Sequence, residues 1–390
     1  MLLTINTGSS SLKATAYEWS DALGLVLAAR AERIGGADSR LVVERPGRHP
    51  PEVAAAALPD HAAALAALVA WLDGHGYRGK IHAVGHRIVH GGPQLREPRL
   101  VTPEVVEELR RVIPFAPEHL PQALAAIDQV GKALPGLRQV VCFDTAFHRT
   151  LPRRARLLPI PYEYFEAGVA RYGFHGLSYE YLVERLREAD PQRVGGRAVL
   201  AHLGNGASMA AVNHGRCVDT SMSFTPAAGL VMGTRSGDLD PGVLVYLIEQ
   251  GQLDPHELNR FVNKRCGMTG IAGVSDMREL LARRDADDRA AAAVEAFTYQ
   301  ARKFVAAYAA ALGGIDTLAF SGGIGERSSP IRAEICSGLE FLGIRLDEAR
   351  NAAGADVISS EASPVVVRVI GANEDLMIAR HTRRLLAGQA

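Results

Sequence analysis

LLTINTGSSSLKATAY, residues 2–17, sets the reading of the fold. Apolar and β-branched residues flank a Gly/Ser tip, which predicts strand, polar turn, strand. The stretch AVLAHLGNGASMAAVNHGRCVDTS, residues 198–221, repeats the pattern and adds a third strand beyond His214-Gly215. Gly8 and Gly206 lie about half the chain apart. Self-similarity at that period points to duplication of one α/β unit rather than to a solenoid, which needs many short repeats.

Four further apolar runs, 81–84, 140–143, 318–320 and 365–370, end in polar or glycine turns and precede helical segments. Buried strands of α/β sheets look like this, with functional groups at their carboxyl ends. Over 288–312, Val294, Phe297, Ala301, Phe304, Val305 and Tyr308 recur at three- to four-residue spacing, and Gly313-Gly314 follow. That spacing predicts a core-facing helix. Ser329-Pro330 and Asp240-Pro241 read as helix starts with a capping side chain before proline, and Asn373 reads as a third cap.

The chain has 390 residues, 47% of them hydrophobic, enough for two domains with substantial cores. Net charge is +0, so neither a nucleic-acid-binding stripe nor a polybasic membrane patch is expected. The four cysteines form no CxxC pair, which fits reduced thiols in a cytosol and argues against zinc. The start lacks the basic run of a signal peptide. The Ala-rich segment 60–72, bounded by Pro59 and Gly74, is too short for a bilayer and reads as an ordinary helix. A soluble, cytoplasmic protein is the expectation.

Chemistry concentrates in small-residue turns. DTSMSFTPAAGLVMGTRSGDLDPG, residues 219–242, holds a single arginine, Arg235, followed by Asp238 and Asp240. Its guanidinium either pairs with those acids or offers its fork to a carboxylate or phosphate. TGSSSLK (7–13), LGNGAS (203–208) and SGGIGERSS (321–329) each follow an expected strand and expose backbone N–H groups suited to phosphate. None fits the Walker or G-x-G-x-x-G pattern, so a P-loop NTPase and a Rossmann dehydrogenase lose ground. A nucleotide clamped between two domains fits better. HRIVHGG (86–92) places Arg87 just past a strand end between His86 and His90, and RYGFHG (171–176) places His175 in a glycine-bounded loop. Without an HExxH glutamate, the two flanking histidines argue for a structural role, not zinc. Asp144 in FDTAFH (143–148) ends a buried strand and Glu374 in GANEDLMIAR (371–380) begins a helix after another, places where Mg²⁺ takes few carboxylates plus phosphate oxygens. For Glu374, a favourable charge at a helix start accounts equally well for the acid.

In order, INTGSSSLK, HRIVHGG, FDTAFH, RYGFHG, HLGNGAS, FTPAAGLVMGTRSGDLDPG, SGGIGE and ANEDLMIAR make the whole chain resemble the acetate kinase family of the actin, sugar kinase and heat-shock ATPase superfamily. The resemblance implies an α/β fold of two duplicated ribonuclease-H-like domains around an ATP cleft, usually as a homodimer. The expected boundaries are 1–145 plus 375–390 for one domain and 146–374 for the other. It implies reversible phosphoryl transfer between Mg-ATP (Mn²⁺ in place of Mg²⁺ also serving) and a short carboxylate, giving acyl phosphate and ADP. Acetate is the leading substrate, propionate or butyrate the alternatives.

Position by position, the resemblance assigns catalysis to Arg87, Asp144, His175 and Arg235. Arg87, Val89, Phe174 and Pro226 would bind the carboxylate and its methyl group. Ser9, Ser11, Lys13, His202, Leu203, Gly204, Asn205 and Gly206 would bind ATP phosphates. Asp276, Met277, Arg278, Gly322, Gly323, Ile324 and Gly325 would embrace its adenosine. Asn6 and Glu374 would hold the metal. A carboxylic acid of pKa roughly 4–5 is already ionised at neutral pH, so the acceptor needs charge compensation rather than a general base. Asp144 is accordingly expected to position or bind metal.

Two departures stand out. Glu118 and Leu120 in APEHLP replace the leucine and asparagine of an APLHNP-like segment, and Arg327 stands where asparagine is usual after GIGE. A glutamate buried against a methyl is costly, so Glu118 points to solvent, pairs with an arginine, or marks another acyl substrate. Two rival readings remain. In a sugar or polyol kinase Asp144 serves as base, and the paired arginines argue against that. An actin- or chaperone-like scaffold needs a polymerising or peptide-binding surface.

Overall fold

The computed structural model describes residues 1–8, 11–55, 57–190, 196–254 and 257–388. It divides into two compact units, Met1–Ala146 with Asn373–Ala390, and Phe147–Ala372.

The first unit holds β1 (Leu2–Thr7), β2 (Leu12–Tyr17), β3 (Leu25–Glu32), β4 (Arg40–Arg45), β5 (Arg48–Ala55), β6 (Ala83–Ile88), β7 (Arg99–Leu100) and β8 (Arg138–Phe143). They form one sheet in the order β5-β4-β3-β2-β1-β6-β8-β7. β1, β2 and β3 are antiparallel neighbours, whereas β1, β6 and β8 run parallel. The second unit holds β9 (Arg197–Leu203), β10 (Ala207–Asn213), β11 (Arg216–Thr220), β12 (Thr317–Ser321) and β13 (Val366–Val369), in the order β11-β10-β9-β12-β13. Again three antiparallel strands are followed by two added in parallel. The third-second-first-fourth-fifth order thus occurs twice, which is the duplication anticipated from the two Gly/Ser hairpins. The first unit adds the β4–β5 hairpin at one edge and β7 at the other.

The central strands are buried along nearly their whole length, so both faces of each sheet are covered. Leu3, Ile5, Leu12, Ala14 and Leu27 pack with Leu65, Leu68 and Leu72 of the helix His61–Gly74. That helix is capped by the Asp60 side chain, which accepts from the Ala63 N–H. The helix Glu374–Ala387 lies against β1, β6 and β8. Gly85 makes this approach possible, since a Cβ there would strike Thr382 Oγ1 and sit 2.6 Å from Ile378 Cγ2. In the second unit the helix Asp288–Leu312 covers β9, β10 and β11 and ends at Gly313 in the left-handed region. Val294, Phe297, Ala301, Val305 and Tyr308 are buried, while Phe304 is half-buried.

Three expectations need correction. The run at 81–84 starts and stops later, as β6, so Arg87 lies inside the strand rather than past it. The polar residues that looked like a turn are satisfied in place: His86 Nε2 meets Gln139 Oε1 at 2.7 Å, and Arg87 meets Asp144. Ser329 is not a cap; the helix Ser329–Cys336 begins with it, after Ser328, whose buried hydroxyl has no hydrogen-bond partner. Asp240 and Asn373 do cap, accepting from the Gly242 and Leu376 N–H groups. The run at 365–370 contributes only Val366–Val369 as strand.

Arg332, 1% exposed, was not singled out by sequence. Its Nη1 donates to the carbonyls of Gly325 and Glu326 at 2.9 Å, and its Nε and Nη2 donate to Asn351 Oδ1 and O. The cation therefore closes the carbonyl end of the short helix Gly322–Arg327, where the helix dipole favours positive charge. Burial lowers its pKa.

Candidate active site

At the carboxyl ends of β1, β6 and β8, the first unit builds a charged cluster. Arg87 Nε donates to Asp144 Oδ1 at 2.8 Å and Nη2 to Asp144 Oδ2 at 2.6 Å, a bidentate pair. Nη1 donates to Asn6 Oδ1 at 3.1 Å, and Glu374 Oε2 lies 3.7 Å from Nε. The Arg87 side chain keeps 19% exposure while that of Asp144 keeps 1%. Burial opposes the Arg87 charge, but Asp144 and Glu374 outweigh it and raise the guanidinium pKa. Both Asp144 oxygens are engaged by the arginine.

Lys13 stands on β2 opposite Asn6 and is exposed. The Gly8 N–H donates to the Ser11 carbonyl at 2.8 Å, closing the turn that carries Ser11. Ser9 lies outside the described residues. Val89 follows β6 and is half-buried. Glu118 is exposed, and Leu120 is buried in the core with Ala123 and Ile127.

The second unit brings His175, Arg235 and the β9–β10 hairpin together. His175 adopts φ 56 immediately before the helix Gly176–Ala189. Its ring stacks on that of His202 with centroids 4.3 Å apart. At Gly206, a Cβ would lie 2.6 Å from Arg235 Nη2 and 3.4 Å from His175 Nε2, so both side chains converge on the hairpin tip. Asn205 leans on Gly233, whose N–H donates to the Asn205 carbonyl at 2.9 Å. Arg235 Nη1 donates to the Pro226 carbonyl at 2.7 Å. Asp238 and Asp240, read as possible partners of Arg235, instead accept from the Gly229 and Gly242 N–H groups at 2.8 and 2.9 Å. The loop is braced from behind by Gly267 (φ +63), where a Cβ would strike Met232 O and sit 2.6 Å from Arg235 O.

The glycine turn after β12 abuts the same hairpin. Gly322 has φ +76, and a Cβ there would lie 2.7 Å from Leu203 O. Its N–H donates to Glu326 Oε1 at 2.9 Å, a contact that sequence did not suggest. Gly323 is exposed with open space around it, whereas Gly325 is buried near Leu203, and Ile324 is half-buried. Arg327 is exposed.

The acetokinase family matches residues 1–380. The chain belongs to the acetokinase family. It is 47% identical over 330 residues to an acetate kinase of Methylocella silvestris, covering 84% of this chain and 81% of that protein. It is 42% identical over 395 residues to an acetate kinase of Rhodopseudomonas palustris, covering 100% and 99%. Among solved structures, Porphyromonas gingivalis acetate kinase aligns with TM-score 0.89 at 38% identity, covering 99% of each chain. A propionate kinase from Francisella tularensis aligns with TM-score 0.93 at 35% identity, covering 98% and 99%. The chain is thus a phosphotransferase acting on a carboxyl group, with ATP as substrate.

Within this acetokinase-family chain, Asp276, Met277 and Arg278 behave as one helix start. Asp276 caps the helix Met277–Arg283, and the exposed Arg278 folds back on it, Nη2 to Oδ2 at 2.6 Å. The Arg278 hydrogen bond holds the Asp276 carboxyl down at about 2. Met277 faces the core. Phe174 is also fully buried, and its carbonyl accepts from His148 Nε2 at 2.9 Å.

Among the described residues no group of three or more His, Cys, Asp or Glu side chains gathers as a metal site, but the first unit does offer oxygen donors. Asp375, an acid in the first turn of the helix that Asn373 caps, has one oxygen bonded by Thr15 Oγ1 at 3.2 Å and the other buried without a partner. Burial, then the neighbouring Glu374, pushes its pKa up. An orphaned carboxylate oxygen next to Glu374 is what a hard cation would relieve.

Two buried histidines give the family member a pH signature. Burial lowers both His86 and His148 to about 4, against 6.5 when unfolded. Each is neutral in the fold, so its contribution is intact above pH 6.5 and is lost as pH falls toward 4. Thermal midpoints should fall across that window. In His148→Gln, which removes one buried imidazole, the fall should be shallower; equal slopes would show that His148 does not carry it.

Proposed function

We propose that this chain catalyses reversible transfer of the γ-phosphoryl of ATP to acetate, giving acetyl phosphate and ADP. The observation that carries the reading is the convergence of Arg235 Nη2 and His175 Nε2 on Gly206, two donors over a position kept free of side chain. In this reading they and Asn205 take the transferred phosphoryl group, where equatorial charge spreads in the transition state. Arg87, held rigid by Asp144, receives the acceptor carboxylate. Val89, Phe174 and Pro226 surround its methyl group. Lys13, Ser9, Ser11 and the Leu203–Gly206 turn with His202 attend the phosphates. Gly322 to Gly325 and the Asp276–Arg278 turn attend the adenosine.

Asn6 and Glu374 would hold Mg²⁺, or Mn²⁺ in its place, with Asp375 within the same donor set. When bound, the metal neutralises phosphate charge and orients the leaving group. The acceptor is ionised without help, so no side chain has to remove a proton.

Hydroxylamine trapping of acyl phosphate tests the assignment. Acetate should outrun propionate and butyrate in kcat/KM, since the curated relatives are named acetate kinases. Acyl phosphate from propionate in preference would move the reading toward the neighbouring propionate kinase. Phosphorylated glycerol without acyl phosphate would overturn it in favour of a polyol kinase.

We also infer a homodimer. The helix Pro241–Glu249, PGVLVYLIE, has no buried residue, and Val245 and Tyr246 are 53% and 57% exposed. A helix apolar all round is ordinarily covered. Sedimentation should give a dimer that Val245→Asp with Tyr246→Glu converts to monomer; a monomeric parent refutes the inference. No helix among the described residues is long and apolar enough to cross a membrane.

A further inference from the structure

We propose that Ser208 and Tyr179 are positioning residues for His175: their hydroxyls form a directed hydrogen-bond chain onto Nδ1 that fixes the imidazole with its proton on Nε2. The proposal rests on the reading of His175 given above and deepens it, because it says which form of the histidine meets the phosphoryl group.

The geometry supplies the chain. His175 precedes the first turn of the helix Gly176–Ala189, and Tyr179 lies one turn on, its N–H bonded to the His175 carbonyl at 3.0 Å. Residues four apart share a helix face. Ser208, on β10, sits between them. His175 Nδ1 is 2.8 Å from Ser208 Oγ, and Ser208 Oγ is 2.5 Å from the Tyr179 hydroxyl. Both Tyr179 and Ser208 are fully buried, at 0% exposure.

The direction follows from donor counting. Burial raises the Tyr179 pKa, so the phenol keeps its proton and needs an acceptor for it. The buried Tyr179 hydroxyl meets Ser208 Oγ at 2.5 Å, and a phenol has one proton to give, which goes to Ser208 Oγ. Having accepted there, Ser208 has its own single proton for the remaining partner, Nδ1 of His175. A ring whose Nδ1 accepts carries its proton on Nε2, the nitrogen that faces the Gly206 tip beside Arg235. Nothing in such a chain lets His175 exchange a proton with the reaction. It acts as a donor of fixed aim, with its ring plane held against His202.

The tests are kinetic and spectroscopic. Ser208→Ala and the isosteric Tyr179→Phe should each lower kcat roughly 10–100-fold, the scale known for outer partners that orient ligating histidines. KM for Mg-ATP should stay within about threefold, because the chain sets orientation rather than nucleotide binding. In a His175→Ala background neither change should lower kcat further; full additional losses there would overturn the proposal. On the unmodified protein with ¹⁵N-labelled histidine, the signals lost in His175→Ala should report an Nε2–H tautomer, and an Nδ1–H pattern overturns it whatever the variants do. If His175→Ala keeps full turnover, the reading of the site fails and takes this proposal with it. If His175→Ala is crippled but Ser208→Ala and Tyr179→Phe are silent, only the positioning chain fails.

Discussion

Arg87→Ala should lower turnover with acetate by at least two orders of magnitude, the scale for removing a preorganised charge stabiliser. It should also destabilise the fold. Asp144 is 1% exposed and gives both oxygens to this arginine, at 2.6 and 2.8 Å. Without the guanidinium that carboxylate stays buried but loses its bidentate partner, and breaking a buried pair typically costs about 3–5 kcal/mol. Arg87→Lys should not restore activity, since one ammonium cannot reproduce a planar fork that bonds Asp144 twice and Asn6 once. The two effects separate in a double variant. Arg87→Ala with Asp144→Ala should regain much of the stability and none of the turnover. Chemical denaturation and steady-state kinetics on the three proteins decide it. Near-normal turnover in Arg87→Ala would remove the arginine from the mechanism, and unchanged stability would mean that Asp144 finds another partner.

The repeated order of strands was legible because each hairpin is local: β1–β2 and β9–β10 are short apolar runs around a small-residue tip. So were the C-terminal stop at Gly313 and the caps at Asp240 and Asn373, where one residue's backbone preference decides the outcome. β6 was misplaced because His86 and Arg87 look like loop residues until Gln139 and Asp144, more than 50 positions away, are known to satisfy them. Long-range partners of that kind leave no local pattern. The same limit hid Arg332, whose four acceptors are Asn351 and the carbonyls closing a helix. Ser208 and Tyr179 escaped notice for another reason. Each has a sufficient local explanation, strand residue and helix core, and only the fold puts both hydroxyls in line with Nδ1 of His175. GNG was read as backbone exposed to phosphate; what the structure shows at Gly206 is clearance for the Arg235 and His175 side chains.

That clearance yields a sharp expectation for Gly206→Ala, which should lose at least about a hundredfold in kcat while folding normally. Glycine is not needed here for backbone conformation: Gly206 is absent from the positive-φ glycines, unlike Gly215 and Gly322. Alanine is therefore free of backbone strain, and β10 keeps its register with β9. What changes is one methyl group, placed 2.6 Å from Arg235 Nη2 and 3.4 Å from His175 Nε2. Carbon and nitrogen sit comfortably at about 3.5 Å or beyond, so the guanidinium has to move by roughly an ångström. Its other nitrogen is tied to the Pro226 carbonyl at 2.7 Å, and its backbone is gripped by the segment around Gly267. The movement therefore turns the Nη2 edge away from the phosphoryl position instead of shifting the whole residue. Misplacement by about 1 Å is enough for a hundredfold loss in well-aligned transfer. The methyl also occupies the volume between the two donors, where a phosphoryl oxygen has to enter. The first loss acts through Arg235 and the second does not, so adding Gly206→Ala to Arg235→Ala should cost less than it does alone, the remaining cost being that of the occupied volume. A Gly206→Ala enzyme within about threefold of the parent would show that the two donors do not meet the transferred group at this tip.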